Sequence, residues 1–179
     1  MRLYHGSAFE GLTTLVPHVS EHEQEYVYLS DNSAIAMLYT VHMLPFPYNW
    51  YPYGFHNEIP IYTEYYPDAL ADVYAGRRGF VYECERTSTM EGLAMIPGAY
   101  VSEVPVAVHG VRAVADVHEA LLDLEHKGRL IIQRFATLSD EQHAFFTEMM
   151  RRQIALYELH GKPDDAYSRF ITERFPHVW

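Results

Sequence analysis

The sequence predicts a mixed α+β fold, and three observations carry that prediction. Short aromatic and β-branched runs, such as Arg2-Leu3-Tyr4-His5 and Tyr26-Val27-Tyr28-Leu29, read as strands. Two capped stretches, one opening at Asp31-Asn32 and one at Asp116, carry the apolar spacing of helices. From Ser139 onward the pattern is helical almost throughout. With 179 residues, of which 49% are hydrophobic and 21% charged, the chain is long enough for one domain with a core of its own. The reading is a single domain over 1–179, with an α+β core over 1–135 and a helical C-terminal extension over 136–179.

The elements follow in order. After the first two strands, Ser33 to Tyr39 forms a helix, and Pro45 and Pro47 end it. Residues 46–66 read "FPYNWYPYGFHNEIPIYTEYY", in which nine rings of Phe, Trp or Tyr stand among three prolines. This stretch is expected to be an ordered aromatic loop with a short strand at Ile59 to Tyr62. It either covers a core edge or closes over a binding cleft. A short helix is expected at Pro67 to Tyr74, with the proline in its first turn, followed by a strand at Gly79 to Cys84.

Tyr100 to Val108 is the next expected strand, with Val104, Val106 and Val108 on one face and Glu103 on the other. Pro105 puts that strand at an edge or gives it a bulge. A helix from Asp116 to His126 stops at Gly128, and Arg129 to Phe135 returns as a strand. Ser139-Asp140-Glu141 opens a helix to about Leu159, which Gly161 and Pro163 stop. A last helix spans Asp164 to Phe175, and the closing "FPHVW" docks by its rings.

Composition excludes several function classes. A formal net charge of −11, with basic residues never gathered into a block, disfavours general nucleic-acid binding, which draws on phosphate neutralisation by Lys and Arg. The pair Arg77-Arg78, between Gly76 and Gly79, is the most conspicuous basic feature; a phosphate contact is one reading of it, and two exposed loop arginines the favoured one. No apolar run approaches a membrane span and no signal-peptide pattern opens the chain. A single cysteine, Cys84, excludes an internal disulfide and a thiolate zinc cage, so a cytoplasmic compartment is expected. His18-Val19-Ser20-Glu21-His22 has two histidines four apart, but Pro17 and the polar neighbours make it a loop rather than a metal-holding helix face.

Three polar features join into one constellation. His5-Gly6-Ser7 ends the first strand, Tyr28 lies in the second with Tyr39 eleven residues on in the following helix, and Glu103 is a lone acid among valines. Together they resemble the ADP-ribosyltransferase fold, in its diphtheria-toxin and poly(ADP-ribose) polymerase branch of the His-Tyr-Glu type. In that family a first strand ends in His-Gly-Ser or His-Gly-Thr. A second carries Gly-x-Tyr-Phe and leads into a Ser- and Ala-rich helix ending in tyrosine. Here "EYVYLSDNSAIAMLY" is similar, although Glu25-Tyr26-Val27 stands where family members commonly carry glycine. The chain also resembles a group of small bacterial proteins of unassigned activity that share "YHGS", "VYLSD" and "FPxxW".

The resemblance implies a split antiparallel sheet core and an NAD-dependent transferase, a glycosyltransferase cleaving the nicotinamide-ribose bond. By that implication His5 bonds the ribose of the adenosine half, while Gly6 and Ser7 hold the nicotinamide amide. Tyr28 and Tyr39 sandwich the nicotinamide ring, and Glu103 holds the adjoining ribose. Glu58, Glu64, Glu83 and Glu91 compete with Glu103 for that role. The types suit the chemistry, since a carboxylate on the ribose hydroxyl is favoured more as the sugar becomes an oxocarbenium ion than before. Val101, two residues before Glu103, is not the Glu or Gln of arginine-modifying transferases. The acceptor of ADP-ribose, whether protein, nucleic acid or small molecule, stays open. The alternatives are a non-catalytic NAD, nucleotide or protein-binding domain of the same fold, and an RNA 2'-phosphotransferase, which relies on arginines that this chain lacks beside His5.

Overall fold

The computed structural model describes residues 1–19, 24–41, 53–94 and 96–179, and the side chain of Tyr53 lies outside that description. The expected helix stops at Pro45 and Pro47, the residues Ser20 to His22, and the aromatic residues 46–52 fall outside the described residues. The fold is mixed α+β with mainly antiparallel sheets. By contacts the chain forms two compact units, one of residues 1–42 and 74–130 and the other of residues 43–73 and 131–179.

In the first unit, the strands β1 (Arg2–Ser7), β2 (Thr14–Leu15), β3 (His18–Val19) and β4 (Glu25–Ser30) precede the helix α1 (Ser33–Leu38). A second unit holds the hairpin β5 (Tyr53–His56) and β6 (Ile59–Thr63), and α2 (Ala69–Tyr74) follows in the chain. The first unit then resumes with β7 (Gly79–Glu85), β8 (Met90–Gly92), β9 (Ala99–Ser102), β10 (Val106–Ala107), β11 (Gly110–Val114) and α3 (Val117–His126). Strand β12 (Ile131–Gln133) and the helices α4 (Asp140–Leu156) and α5 (Ala166–Arg174) complete the second unit.

The main sheet of the first unit has the order β11-β7-β1-β4-β9-β8, with β3 added on β4, and its strands pair antiparallel. Strand β1 lies inside the sheet, flanked by β7 and β4. Alternation sends Leu3, Val27, Leu29 and Cys84 to one face, where Leu15, Met90 and Val106 close a buried core over them. On the other face α1 packs against β1, β4 and β7. Asn32 starts that helix, its side chain accepting from the Ala34 amide at 2.9 Å. Asp116 caps α3 through the Glu119 amide, and Gly128, at φ +66°, ends it in the left-handed conformation that a Cβ would disfavour.

In the second unit, β5 and β6 form a hairpin that was not expected, and β12 joins β6 in parallel, Ile132 opposite Tyr62. Asn57 and Glu58 make the hairpin turn with φ of 48° and 66°, the paired positive values of a two-residue turn. Helix α4 opens with a capping box in which Ser139 accepts from the Gln142 amide at 3.2 Å and the Gln142 side chain accepts from the Ser139 amide at 3.0 Å. It ends at Leu156, earlier than expected, because Glu158 takes a left-handed conformation at φ 53° and a 3-10 turn follows over Leu159–Gly161. The core here is aromatic: Tyr65, Tyr66, Phe146, Phe170 and Phe175 pack on Met150 and Ile154. The ring of Phe175, in the closing "FPHVW", docks at 5.6 Å from that of Tyr66.

The expected strand over Tyr100 to Val108 is broken. Strand β9 stops at Ser102, whose hydroxyl donates to the Val104 carbonyl at 2.8 Å and accepts from the Val104 amide at 3.3 Å. That side-chain turn competes with the ladder and leads to Pro105, which has no amide to pair. Beyond it the two residues of β10 pair with β2 instead, and the Val108 amide donates to the Thr13 carbonyl at 3.0 Å. Val104 is therefore 46% exposed while Val106 is buried, so the two do not share one covered face.

Candidate functional site

The His5-Gly6-Ser7 element lies at the C-terminal end of β1, and the main-chain register explains its surroundings. Tyr4 pairs with Ser30, so continuing the antiparallel ladder sets Gly6 beside Tyr28. The His5 Nδ1 sits 2.8 Å from the Tyr28 carbonyl oxygen, which only accepts, so Nδ1 carries the proton and donates. Burial holds the His5 imidazole below its usual pKa, the Tyr28 carbonyl pulls the other way, and His18 adds to the lowering. The ring is thus neutral near pH 7, and its Nε2 is an acceptor.

Gly6 has a structural reason to be glycine. A Cβ built there would lie 1.9 Å from the Ala36 carbonyl oxygen and 2.9 Å from the Tyr39 carbonyl carbon. Helix α1 therefore approaches β1 as closely as backbone allows, and that approach alone requires glycine here. Ser7 is nearly buried, and its hydroxyl oxygen accepts from the Phe9 amide at 3.1 Å, turning the chain out of the strand.

Tyr28 is half-buried in β4, on the face opposite Val27 and Leu29, and meets Tyr26 edge to face at a centroid distance of 5.9 Å. Tyr39 is the C-cap of α1 and is 37% exposed, with its backbone against Gly6. Four of the six expected site residues, His5, Gly6, Tyr28 and Tyr39, are in this way gathered around the end of β1. Ser7 follows them on the same strand end.

Glu103 reaches the same end of the sheet by topology. Strand β9 pairs antiparallel with β4, and β4 antiparallel with β1, so the C-terminal ends of β1 and β9 point the same way. Val27 lies opposite Ser102 and Tyr28 opposite Val101, which sets Glu103 just beyond that row. The expectation that Glu103 stands within a strand is corrected: it is exposed, in the turn that Ser102 closes.

The competing acids sort by their contacts. Glu64 is buried in the second unit, where its two carboxylate oxygens accept from the Leu70 and Phe135 amides, each at 3.1 Å. It is a structural clamp, and the sequence signal for it, an acid among aromatic residues, does not tell a clamp from a catalyst. Glu58 occupies the β5-β6 turn. Glu83 pairs with Arg2 at 3.3 Å, and Glu91 is exposed on β8 opposite Val101. Arg78 is tied to Glu10 at 3.0 Å and lies 4.8 Å from the Phe80 ring centroid. Cys84 is buried and its thiol is pushed up to about 11, which keeps it protonated and unreactive.

One residue that sequence reasoning missed shapes the site's flank. Tyr82, opposite His5 on β7 and fully buried, donates its hydroxyl to the Phe9 carbonyl at 2.7 Å and accepts from the Leu12 amide at 3.2 Å. It pins the loop that leaves Ser7. Comparison with protein-family models, with curated proteins and with solved structures finds no match to this chain.

Proposed function

We propose that the first unit is an ADP-ribosyltransferase-like domain that binds NAD as its substrate, cleaves the nicotinamide-ribose bond and passes ADP-ribose to an acceptor. The observation that carries this reading is the side-by-side order of β1, β4 and β9, with His5 bonded to the Tyr28 carbonyl and Glu103 at the same sheet end. The split antiparallel sheet core expected for that family is part of the same proposal, as is a cytoplasmic setting.

In this reading the neutral His5 accepts a hydrogen bond from a ribose hydroxyl at Nε2, Nδ1 being engaged with the backbone. Tyr28 and Tyr39 hold the nicotinamide ring by its faces, which orients the bond to be broken. The Glu103 carboxylate accepts from the hydroxyls of the adjoining ribose and stabilises positive charge as it develops on the sugar. A second reading, a non-catalytic NAD-binding domain of the same fold, is favoured by one observation. Glu103 sits exposed on the turn that Ser102 closes, where no hydrogen bond or ion pair from the described residues holds its carboxylate in place.

The test is nicotinamide release from NAD by the wild-type protein and by Glu103→Gln, with NAD affinity measured calorimetrically on both. The expected result is a fall in kcat of about a hundredfold or more with NAD affinity little changed, the pattern of a group that acts in the transition state. Equal turnover by the two proteins removes Glu103 from the chemistry. Binding without any turnover selects the second reading, and no NAD binding by the wild type overturns both.

A further inference from the structure

The second unit contains a cavity of about 440 Å³ that the NAD reading does not use. Its size falls in the range of roughly 300–1,000 Å³ typical of small-molecule sites. Helix α4 supplies His143, Phe146 and Thr147 at spacings of three and four, which places all three on one helix face toward the opening. Phe135 lies across from them, its ring meeting the His143 imidazole edge to face at 4.5 Å. The residues after α5 close the far wall, where His177 Nε2 stands 3.4 Å from the Thr147 hydroxyl.

The charges at the opening decide what fits. Arg174 gives two N–H groups to Asp72, at 2.9 and 3.1 Å, and another to Glu173 at 2.9 Å. Of these three groups Arg174 and Glu173 line the cavity and cancel, and Asp72 takes the remaining bonds of the guanidinium, leaving Arg174 no uncompensated positive charge to draw an anion. The same guanidinium stands 6.0 Å from the Tyr66 ring centroid, so the cation position over that ring is already filled. Thr147 and His177 already face one another, but a purely aliphatic guest would offer nothing to the polar edges of His143, Thr147 and His177 along the wall. From these observations we infer that the cavity binds a neutral, flat heteroaromatic ring, held against Phe135 and bonded along its edge by His143, Thr147 and His177.

The inference concerns residues of the second unit alone and stands whether or not the protein turns over NAD. Indazole is the probe, being neutral near pH 7 and carrying a donor and an acceptor on adjacent ring positions. Benzamidinium and benzoate are its charged counterparts of similar size. Titration followed by NMR of the histidine imidazoles is expected to show saturable indazole binding, with shifts at His143 and His177 and none at His5. Thr147→Val, which keeps the shape and removes one hydroxyl, is expected to weaken binding about fivefold, the effect of one lost hydrogen bond. The inference is overturned by failure to saturate below about 10 mM, by tighter binding of either charged probe, or by an affinity that Thr147→Val leaves unchanged.

Discussion

At the scale of a residue, His5 is the group whose surroundings most constrain its chemistry. Its ring is half-buried, donates from Nδ1 to the Tyr28 carbonyl and has its pKa lowered, with loss of solvent as the largest cause. As pH falls below about 6.5, histidine in the unfolded chain takes a proton that folded His5 still refuses, so unfolding is favoured. The stability tied to this group is therefore fully present above that pH and is lost on descent toward the folded-state pKa. The loss cannot be steeper than about 1.4 kcal/mol per pH unit for one proton. Urea unfolding of the wild type and of His5→Gln at about pH 7.5 and 5.5 measures it. The stability advantage of the wild type is expected to shrink at the lower pH, and a difference independent of pH contradicts the half-buried neutral ring.

At the scale of an element, the packing of α1 onto β1 explains why glycine follows His5. The Cβ of an alanine at position 6 would press on the Ala36 carbonyl oxygen, a backbone atom held by its own helix. Gly6→Ala is expected to destabilise the protein by about 2–3 kcal/mol or more, the cost of overpacking a rigid contact. Thermal or urea denaturation checks this, and a variant that keeps its stability while losing only NAD binding returns Gly6 to a ligand role. Local signals of this kind were well legible. The Asn32 and Asp116 caps, the Ser139 start and the Gly128 stop act through backbone groups within a few residues. The two-residue hairpin turn at Asn57-Glu58 was missed because glutamate rarely takes positive φ. The break at Glu103 was missed because the valines around it suit a strand, and a serine hydroxyl outweighed them.

At the scale of the whole molecule, the second unit is assembled from two chain segments far apart in sequence, and the buried Glu64 carboxylate is one of the groups that tie them. Glu64 accepts from the Leu70 amide nearby and from the Phe135 amide of the distant segment, while β12 pairs with β6 beside it. Glu64→Gln keeps one acceptor and turns an NH2 toward the other amide, leaving a buried donor unsatisfied. The expected cost is about 1–3 kcal/mol, read from the urea midpoint at constant m-value. No change in midpoint contradicts the clamp. The helical tail was legible from α4 and α5 as elements, but its association with residues 53–73 was not. That association rests on aromatic contacts such as Tyr66 with Phe170, whose rings meet at 5.7 Å.

None of the described helices is long and apolar enough to cross a membrane. The sequence by itself determined the α+β character, the strands at His5 and Tyr28 and most helix ends, because these depend on propensity, alternation and capping between near neighbours. Tertiary structure alone decided that β1, β4 and β9 stand side by side, that Gly6 serves a helix, that Glu64 is a clamp and Glu103 lies on an exposed turn. Those outcomes depend on strand pairing and ring packing between residues tens of positions apart, and no local pattern specifies which distant partner wins.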